Sequence, residues 1–334
     1  MTLEFFTPTD LSPELTHEIA GFLDSQDTSH PFQFPQWAGG ATRLAIIRHE
    51  NRIRWFASCA TQFPFGARLP GLRAMTITRG PVCDDRLVWH AGTNLLLERS
   101  NADRFVYLDA SPDWPQESDV PESAWNPEWE PFGAKRFSLR LELQGTPDEL
   151  LARFRKNTRY EVRRAERASI TITPAKSEPD VDGFLNLYAR LAGRKGFSAE
   201  APDHLRTIMK WLIAEPSRGA LLLAHDGASI VGGAAIVRSG KRCWYVWGAS
   251  DRSHHFSAGH AVQWQAIRWA QSQGCTEYDF GGYTPGATSG PAWFKEGFGG
   301  RVIEFVPAHR YVFRRHPYRL FRMLQRARQV RPGD

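Results

Sequence analysis

The spacing of apolar and polar positions divides the chain into alternating helices and strands. Leu11–Ser25 carries apolar residues at helical spacing, whereas Arg43–His49 and Arg52–Gln62 alternate as strands. The intervening ENR predicts a hairpin turn. Arg73–Thr78 reads as a strand, Arg86–Arg99 as a helix and Arg104–Asp109 as a strand. The stretch SPDWPQESDVPESAWNPEWEPFG, rich in Pro and Trp, predicts a loop, and Phe137–Leu143 alternates again as a strand. A long helix is predicted over Pro147–Ala168. Thr146 supplies its N-cap, Pro147 its first position and Glu149 the far side of a capping box. Then come a strand at Ile170–Thr173, helices at Val181–Arg194 and Pro202–Ala214, and strands at Gly219–His225, Ser229–Arg238 and Arg242–Ala249. The short links DGA and SGK make the last three an antiparallel meander. A helix at Ala258–Gln273 and a strand at Glu277–Phe280 close the series. This order predicts an α/β fold with mixed α+β sheets rather than an all-parallel sheet. The first half shows a shorter version of the same order, which suggests two similar domains.

Composition adds limits. A chain of 334 residues is longer than one core usually grows, so two domains are expected. Cys59, Cys83, Cys243 and Cys275 lack metal-ligand or CxxC spacing. They predict a reducing compartment and no metal site. The start, MTLEFFTPTD, lacks the pattern of a secretory signal, and apolar runs such as Ala220–Ala224 are far too short to span a bilayer. A cytoplasmic location is expected. Charge is uneven: residues 1–144 hold 13 Lys and Arg against 19 Asp and Glu, net −6, and the remainder holds 29 against 17, net +12. A basic half suits a polyanion such as nucleic acid, nucleotide phosphates or an anionic membrane, and equally describes a solvated surface.

Three stretches carry candidate chemistry. In FRKNTRYEVRRAER, Arg155, Arg159, Arg163 and Arg167 recur every fourth residue, with Lys156 and Arg164 beside them. Such a stripe can clamp phosphates, arginine doing so bidentately; it can also be a solvated helix face. In SHHFSAGHAVQWQAIRWA, the small residues Ser257, Ala258 and Gly259 open a helix after a strand, where backbone N–H groups can hold an anion. The position resembles the pyrophosphate loop of acetyl-CoA-dependent N-acetyltransferases, with an incomplete glycine pattern. His254, His255 and His260 are acid–base candidates there, or capping and core histidines. In YDFGGYTPGATSGPAWFKEGFGG, a strand ends in Gly281-Gly282 and a short helical turn sets Lys295 among Trp293, Phe294 and Phe298. A desolvated lysine there can hold a phosphate or a developing oxyanion, or simply cover aromatic surface with its stem.

LLARFRKNTRYEVRRAER together with YDFGGY and GPAWFKEGFGG resembles the FemABX family of peptidoglycan-bridge aminoacyltransferases, and TRGPVCDD and HPFQFPQW resemble its N-terminal segments. The resemblance spans roughly residues 30–306 and is of the compact type, without a helical arm. It implies two tandem GNAT-like (acyl-CoA N-acyltransferase-like) domains with an interdomain cleft. It also implies transfer of an aminoacyl group from aminoacyl-tRNA to an amine of a peptidoglycan precursor, a UDP-MurNAc-peptide or lipid II, without metal or cofactor. Lys295 matches the family lysine associated with the donor or the transition state. Arg159, Arg163 and Arg164 match its basic helix and Arg79 its RGP cation. Trp37 and Tyr283 are implied to line the cleft. Trp293 and Phe294, beside Lys295, are further candidate substrate-binding residues.

The domains are expected at residues 1–144 and 145–310, followed by a basic helix or tail at 311–334. Within HRYVFRRHPYRLFRMLQRARQVRPGD, Tyr318, Phe321 and Leu324 can form an apolar face for a membrane surface or RNA, or dock the helix onto its own domain. The inner face of the membrane is then a second location, and a monomer is expected. Acyl-CoA-dependent N-acyltransfer to another amine is the second enzymatic reading. A non-catalytic RNA- or membrane-binding protein is the third. Asp279 is the candidate base, or a structural residue at the strand end.

Overall fold

A computed structural model of the chain describes residues 1–64, 72–83, 85–117, 125, 128–168, 170–251, 257–288 and 290–329, and the side chains of these except Arg86 and 326–329. The chain forms two units, Met1–Lys135 with Phe305–Asp334, and Arg136–Glu304.

The first unit begins with β1 (Thr2–Phe6), α1 (Pro13–Asp24), β2 (Thr42–His49), β3 (Arg52–Gln62), β4 (Ala74–Thr78), β5 (Val82–Cys83), α2 (Arg86–Ala102), β6 (Tyr107–Ser111) and β7 (Trp129–Phe132). The second holds β8 (Arg136–Glu142), α3 (Pro147–Arg153), α4 (Lys156–Arg167), β9 (Ile170–Pro174), α5 (Glu178–Lys195), α6 (Pro202–Ala214), β10 (Gly219–Asp226), β11 (Ser229–Ser239), β12 (Arg242–Ser250), α7 (Ala258–Ser272), β13 (Glu277–Gly282), α8 (Gly290–Glu296) and β14 (Arg301–Phe305). The chain then returns to the first unit as β15 (Ala308–Val312) and α9 (Arg315–Gln329).

The sheet of the first unit runs β1-β2-β3-β4-β6-β15-β7, with β5 on β3. The pair β4–β6 is parallel and is joined through α2. Trp55, Trp89, Trp114, Trp125 and Trp129 fill its core. The sheet of the second unit runs β14-β8-β13-β12-β11-β10-β9. Here the expected meander β10–β11–β12 is antiparallel and α7 makes a crossover to the parallel pair β12–β13.

Three expectations are corrected. The boundary expected after residue 144 falls before Arg136, because β8 pairs with β13 inside the second sheet. The second domain, expected to run to 310, ends at Glu304, because β15 lies between β6 and β7. Arg310 on β15 makes a bidentate pair with buried Asp109 of β6, at 2.5 and 2.6 Å. The single helix expected over Pro147–Ala168 is two helices. Phe154 takes an extended conformation (φ −68°, ψ 153°) and turns its ring into the core against Trp264 and Phe298. The Arg155 N–H donates to the Gly297 carbonyl at 2.8 Å instead of continuing the helix. The capping box at Thr146 and Glu149 is present as read.

One cross-strand pair sets the geometry around β13. Leu139, Leu141 and Leu143 enter the core from one face of this segment. Arg140, on the other face and 3% exposed, sits opposite Asp279 and donates from Nε to its Oδ2 at 2.8 Å. The Asp279 Oδ1 accepts from Ser138 Oγ and from the Gly281 N–H, the latter at 2.8 Å. Gly281 closes this turn at φ +69°, a conformation that favours glycine, and the strand register shifts between Asp279 and Gly282. Asp279 is thereby structural, since both its oxygens are engaged. Replacing Asp279 by Ala takes from the buried Arg140 its closest carboxylate, with Glu277 remaining at 4.0 Å. The expected loss is about 3–5 kcal/mol, read as a fall in the urea midpoint of the chain. A midpoint within experimental error of the parent would show that the pair carries no such weight.

Candidate functional site

A cavity of about 670 Å³ opens within the second unit. Its walls come from the first turn of α7, the Asn157–Glu161–Arg164 face of α4, the end of α5, the middle of β11, the far half of β12 and the start of α8. Beyond the parallel pairing of Arg242–Trp244 with Glu277–Asp279, β12 continues along the cavity through Tyr245 and Gly248–Ser250. A Cβ at Gly248 would lie 2.0 Å from the Tyr245 hydroxyl, so the Tyr245 ring as placed lies over a bare position of the strand. The helix N-terminus at Ser257–His260 faces the space, where the leading N–H groups and the helix dipole favour an anion.

His260 is the titratable group of that turn. Its Nδ1 lies 2.6 Å from Ser257 Oγ, and its ring meets Phe294 edge-on at 4.9 Å and stacks on Phe298 at 5.7 Å. Burial among these rings lowers its pKa to about 4, so the imidazole is neutral at pH 7. Arg164 and Lys195 bring positive charge to the wall and Glu161 and Asp251 negative charge, with Arg164 and Glu161 3.7 Å apart.

Helix α8 gives neighbouring side chains different surroundings. Trp293 and Phe294 line the cavity, Trp293 lying 39% exposed under the Arg155 guanidinium at 5.0 Å. Lys295 turns the other way. It is buried, and its Nζ donates to the Gly282 carbonyl at 2.6 Å. Desolvation lowers its pKa to about 8, against the opposing pull of Asp279. The ammonium is therefore held by a strand-end carbonyl, whereas the sequence suggested aromatic packing. Glu296 accepts from the Tyr283 hydroxyl at 2.5 Å and from Arg155 at 3.3 Å.

The structure thus brings Arg164, Trp293 and Phe294 to one cavity, with Lys295 and Tyr283 beside it at the end of β13. It places the others elsewhere. Arg159 donates to the carbonyls of Ala152 and Phe154, closing the break between α3 and α4. Arg163 is exposed, and its carbonyl accepts from Arg167 Nε. Within the stripe, Arg159 ties the backbone and Arg155 braces α8. Arg79 and Trp37 belong to the first unit. Arg79, at φ +59°, donates to Asp113 Oδ1 at 2.7 Å, and Trp37 packs on Phe32 at 5.2 Å. His254, His255 and Phe256 lie outside the described residues. Sequence reading missed Asn157 and Glu161 as cavity residues, although their spacing to Arg164 marks one helix face. Among the described residues no cluster of His, Cys, Asp and Glu could hold a metal ion.

Comparison with known proteins places this site in a recognisable frame. Residues 152–296, which include α4, the start of α7 and Lys295, match the acetyltransferase (GNAT) domain family. The chain is 23% identical over 149 residues to the UDP-N-acetylmuramoylpentapeptide-lysine N(6)-alanyltransferase of Weissella viridescens, a match covering 44% of each protein. It thus spans less than half the length of that relative. Its fold is similar to the crystal structure of FemX, with a TM-score of 0.80 at 18% identity, over 96% of this chain and 99% of that one. A tandem GNAT protein from the clavulanic acid biosynthesis pathway matches with a TM-score of 0.53 at 12% identity, over 93% and 99%. The architecture is that of two tandem GNAT-like domains, and the likeness to Fem proteins read from the motifs holds in sequence and in fold.

The neutral state of His260 has a consequence for stability. Its folded pKa of about 4 lies below the ordinary imidazole value, so the unfolded chain takes up the proton first. Stability is lost as the pH falls through roughly 6.5 toward 4, and His260 adds no pH dependence above that window. His260→Gln is expected to flatten the urea midpoint over this acid range, with parallel curves above neutrality. An unchanged acid slope in the variant would assign the loss to other groups.

Proposed function

We propose that the chain is a FemAB-like aminoacyltransferase, moving an aminoacyl group from aminoacyl-tRNA to an amine of a peptidoglycan precursor, either a UDP-MurNAc-peptide or lipid II. One observation carries this reading. The stretch that matches an acyl-transferring domain contains both the cavity and the buried lysine beside it. The name of the Weissella relative supplies the acceptor chemistry, alanyl transfer to a lysine side-chain nitrogen of a muramoyl pentapeptide.

In this reaction the acceptor nitrogen attacks the ester carbonyl carbon of the charged tRNA. A C–N bond forms, the C–O bond to the terminal ribose breaks, and the amine proton passes to the departing ribose oxygen. Lys295, a desolvated cation held on the Gly282 carbonyl beside the cavity, stabilises the oxyanion of the tetrahedral intermediate through its field rather than by direct contact. Arg164 on the cavity wall holds a phosphate of donor or acceptor. Asp279 is not assigned as the base, because Ser138, Arg140 and Gly281 occupy its oxygens. No cofactor is assigned, since aminoacyl-tRNA is itself the donor substrate. The enzyme works as a monomer, in the cytoplasm or at the inner face of the membrane.

A second reading, acyl-CoA-dependent transfer to a different amine, is favoured by the helix N-terminus facing the cavity, which suits a pyrophosphate. The two readings separate in one experiment. The protein is incubated with tRNA charged with a mixture of amino acids, together with UDP-MurNAc-pentapeptide and lipid II, and acceptors are weighed by mass spectrometry. A gain of one amino-acid residue supports the first reading. No gain, with saturable binding of acetyl-CoA, supports the second.

The role of Lys295 has its own test. Lys295→Met is expected to lower turnover by roughly 10²–10³-fold, far more than the modest fall in the thermal transition expected from leaving the Gly282 carbonyl without its donor. Wild-type turnover is expected to fall as the pH rises through about 8, where the ammonium is lost, and Lys295→Arg to extend the plateau upward. Near-parental turnover in Lys295→Met would sink the assignment.

A further inference from the structure

Helix α9 has one face docked and one face bare. Tyr318 and Phe321 lie against Tyr107 of the first unit, at ring separations of 5.7 and 5.5 Å, and Arg310 reaches the Tyr318 hydroxyl at 3.3 Å. Of the apolar face read from the sequence, these two residues therefore point inward. A different set points out. Leu320, Met323 and Leu324 are 50%, 68% and 46% exposed. At about 100° per residue they fall within an arc of roughly 100°, the width of an apolar stripe. Arg315, Arg319 and Arg322 are exposed alongside, spaced by four and three residues. The whole helix, RHPYRLFRMLQRARQ, has five arginines and no acidic residue.

We propose that the outer face of α9 docks on an anionic phospholipid surface. The helix lies in the plane of the interface. Leu320, Met323 and Leu324 enter the boundary between headgroups and acyl chains, and the arginines meet lipid phosphates. Charge complementarity selects this occupant. A second copy of the helix would bring Arg315, Arg319 and Arg322 against the same three, and the phosphate backbone of RNA has no use for three large aliphatic side chains on one face. At 15 residues α9 is about 22 Å long, and no helix among the described residues is long and apolar enough to cross a membrane. The contact is one of lying on the surface, and it does not depend on the transferase reading.

The test is co-sedimentation of the full chain with vesicles of phosphatidylcholine alone and of phosphatidylcholine mixed with phosphatidylglycerol. The chain is expected to pellet with the anionic vesicles only, and less so as salt is raised. The double variant Arg319→Glu, Arg322→Glu should weaken binding by more than about tenfold. The triple variant Leu320→Ser, Met323→Ser, Leu324→Ser should also release the protein, although its charge is unchanged. All five positions are exposed, and an unaltered thermal transition confirms folding. The proposal fails if anionic vesicles bind no better than neutral ones, or if the triple serine variant binds like the parent. Tight binding to poly(U) that the serine substitutions leave intact, without vesicle binding, would make the surface an RNA contact instead.

Discussion

The buried pair of Arg140 and Asp279 is the constraint on which the candidate site rests. Each member would be costly in the interior alone, and together they fix β8 opposite β13 at one register. The same carboxylate accepts the Gly281 N–H, which bends the strand end and aims the Gly282 carbonyl. That carbonyl receives Lys295. Asp279 also favours the ammonium electrostatically, partly offsetting the burial that lowers the lysine's pKa to about 8. A chain of single contacts thus links a strand in the middle of the sheet to the one buried cation of α8. Replacing the pair by two hydrophobic side chains could preserve stability. It could not preserve this aim, because the Gly281 N–H would lose the carboxylate that accepts it.

Local order was legible in the sequence where it depends on neighbours. The capping box at Thr146, the meander of β10–β12 and the crossover helix α7 follow from spacing and turn residues within a few positions. What was not legible depends on partners far away in the chain. The break after Arg153 is favoured by Phe154 entering a core built by Trp264 and Phe298, and by the Gly297 carbonyl accepting the Arg155 N–H. Periodicity runs straight through that point. The unit boundaries fail in the same way. Arg136–Glu142 looks like any alternating strand, and its pairing with the distant β13, with Arg140 opposite Asp279, shows which sheet it joins. Likewise Asp109 is what draws Arg310, and with it β15, back to the first unit.

The site was legible as motif and not as geometry. The strand-end glycines and Lys295 stood out because a charged residue among aromatic positions conflicts with ordinary patterning. The lysine's actual partner is a main-chain carbonyl, which no side-chain pattern encodes. The arginine stripe left its two readings open for the converse reason. Regular spacing marks a helix face, but it does not say whether that face meets a ligand, solvent or the protein's own carbonyls. Arg159 meets the carbonyls of Ala152 and Phe154, and the face that reaches the cavity is the mixed one of Asn157, Glu161 and Arg164.

These contacts also explain why a short helix such as α8 can serve two tasks. Seven residues are too few to be a stable helix by themselves. Its position is imposed from outside. Lys295 is tied to Gly282, Glu296 to both Tyr283 and Arg155, and Trp293 lies under the Arg155 guanidinium. Successive side chains on a helix point about 100° apart, so one turn presents Phe294 to the cavity and Lys295 to the strand end. Arg155, which looks in sequence like the start of a phosphate clamp, is instead a brace for that turn. The cation that pattern alone makes most available is used to fix the cation that pattern makes least accessible.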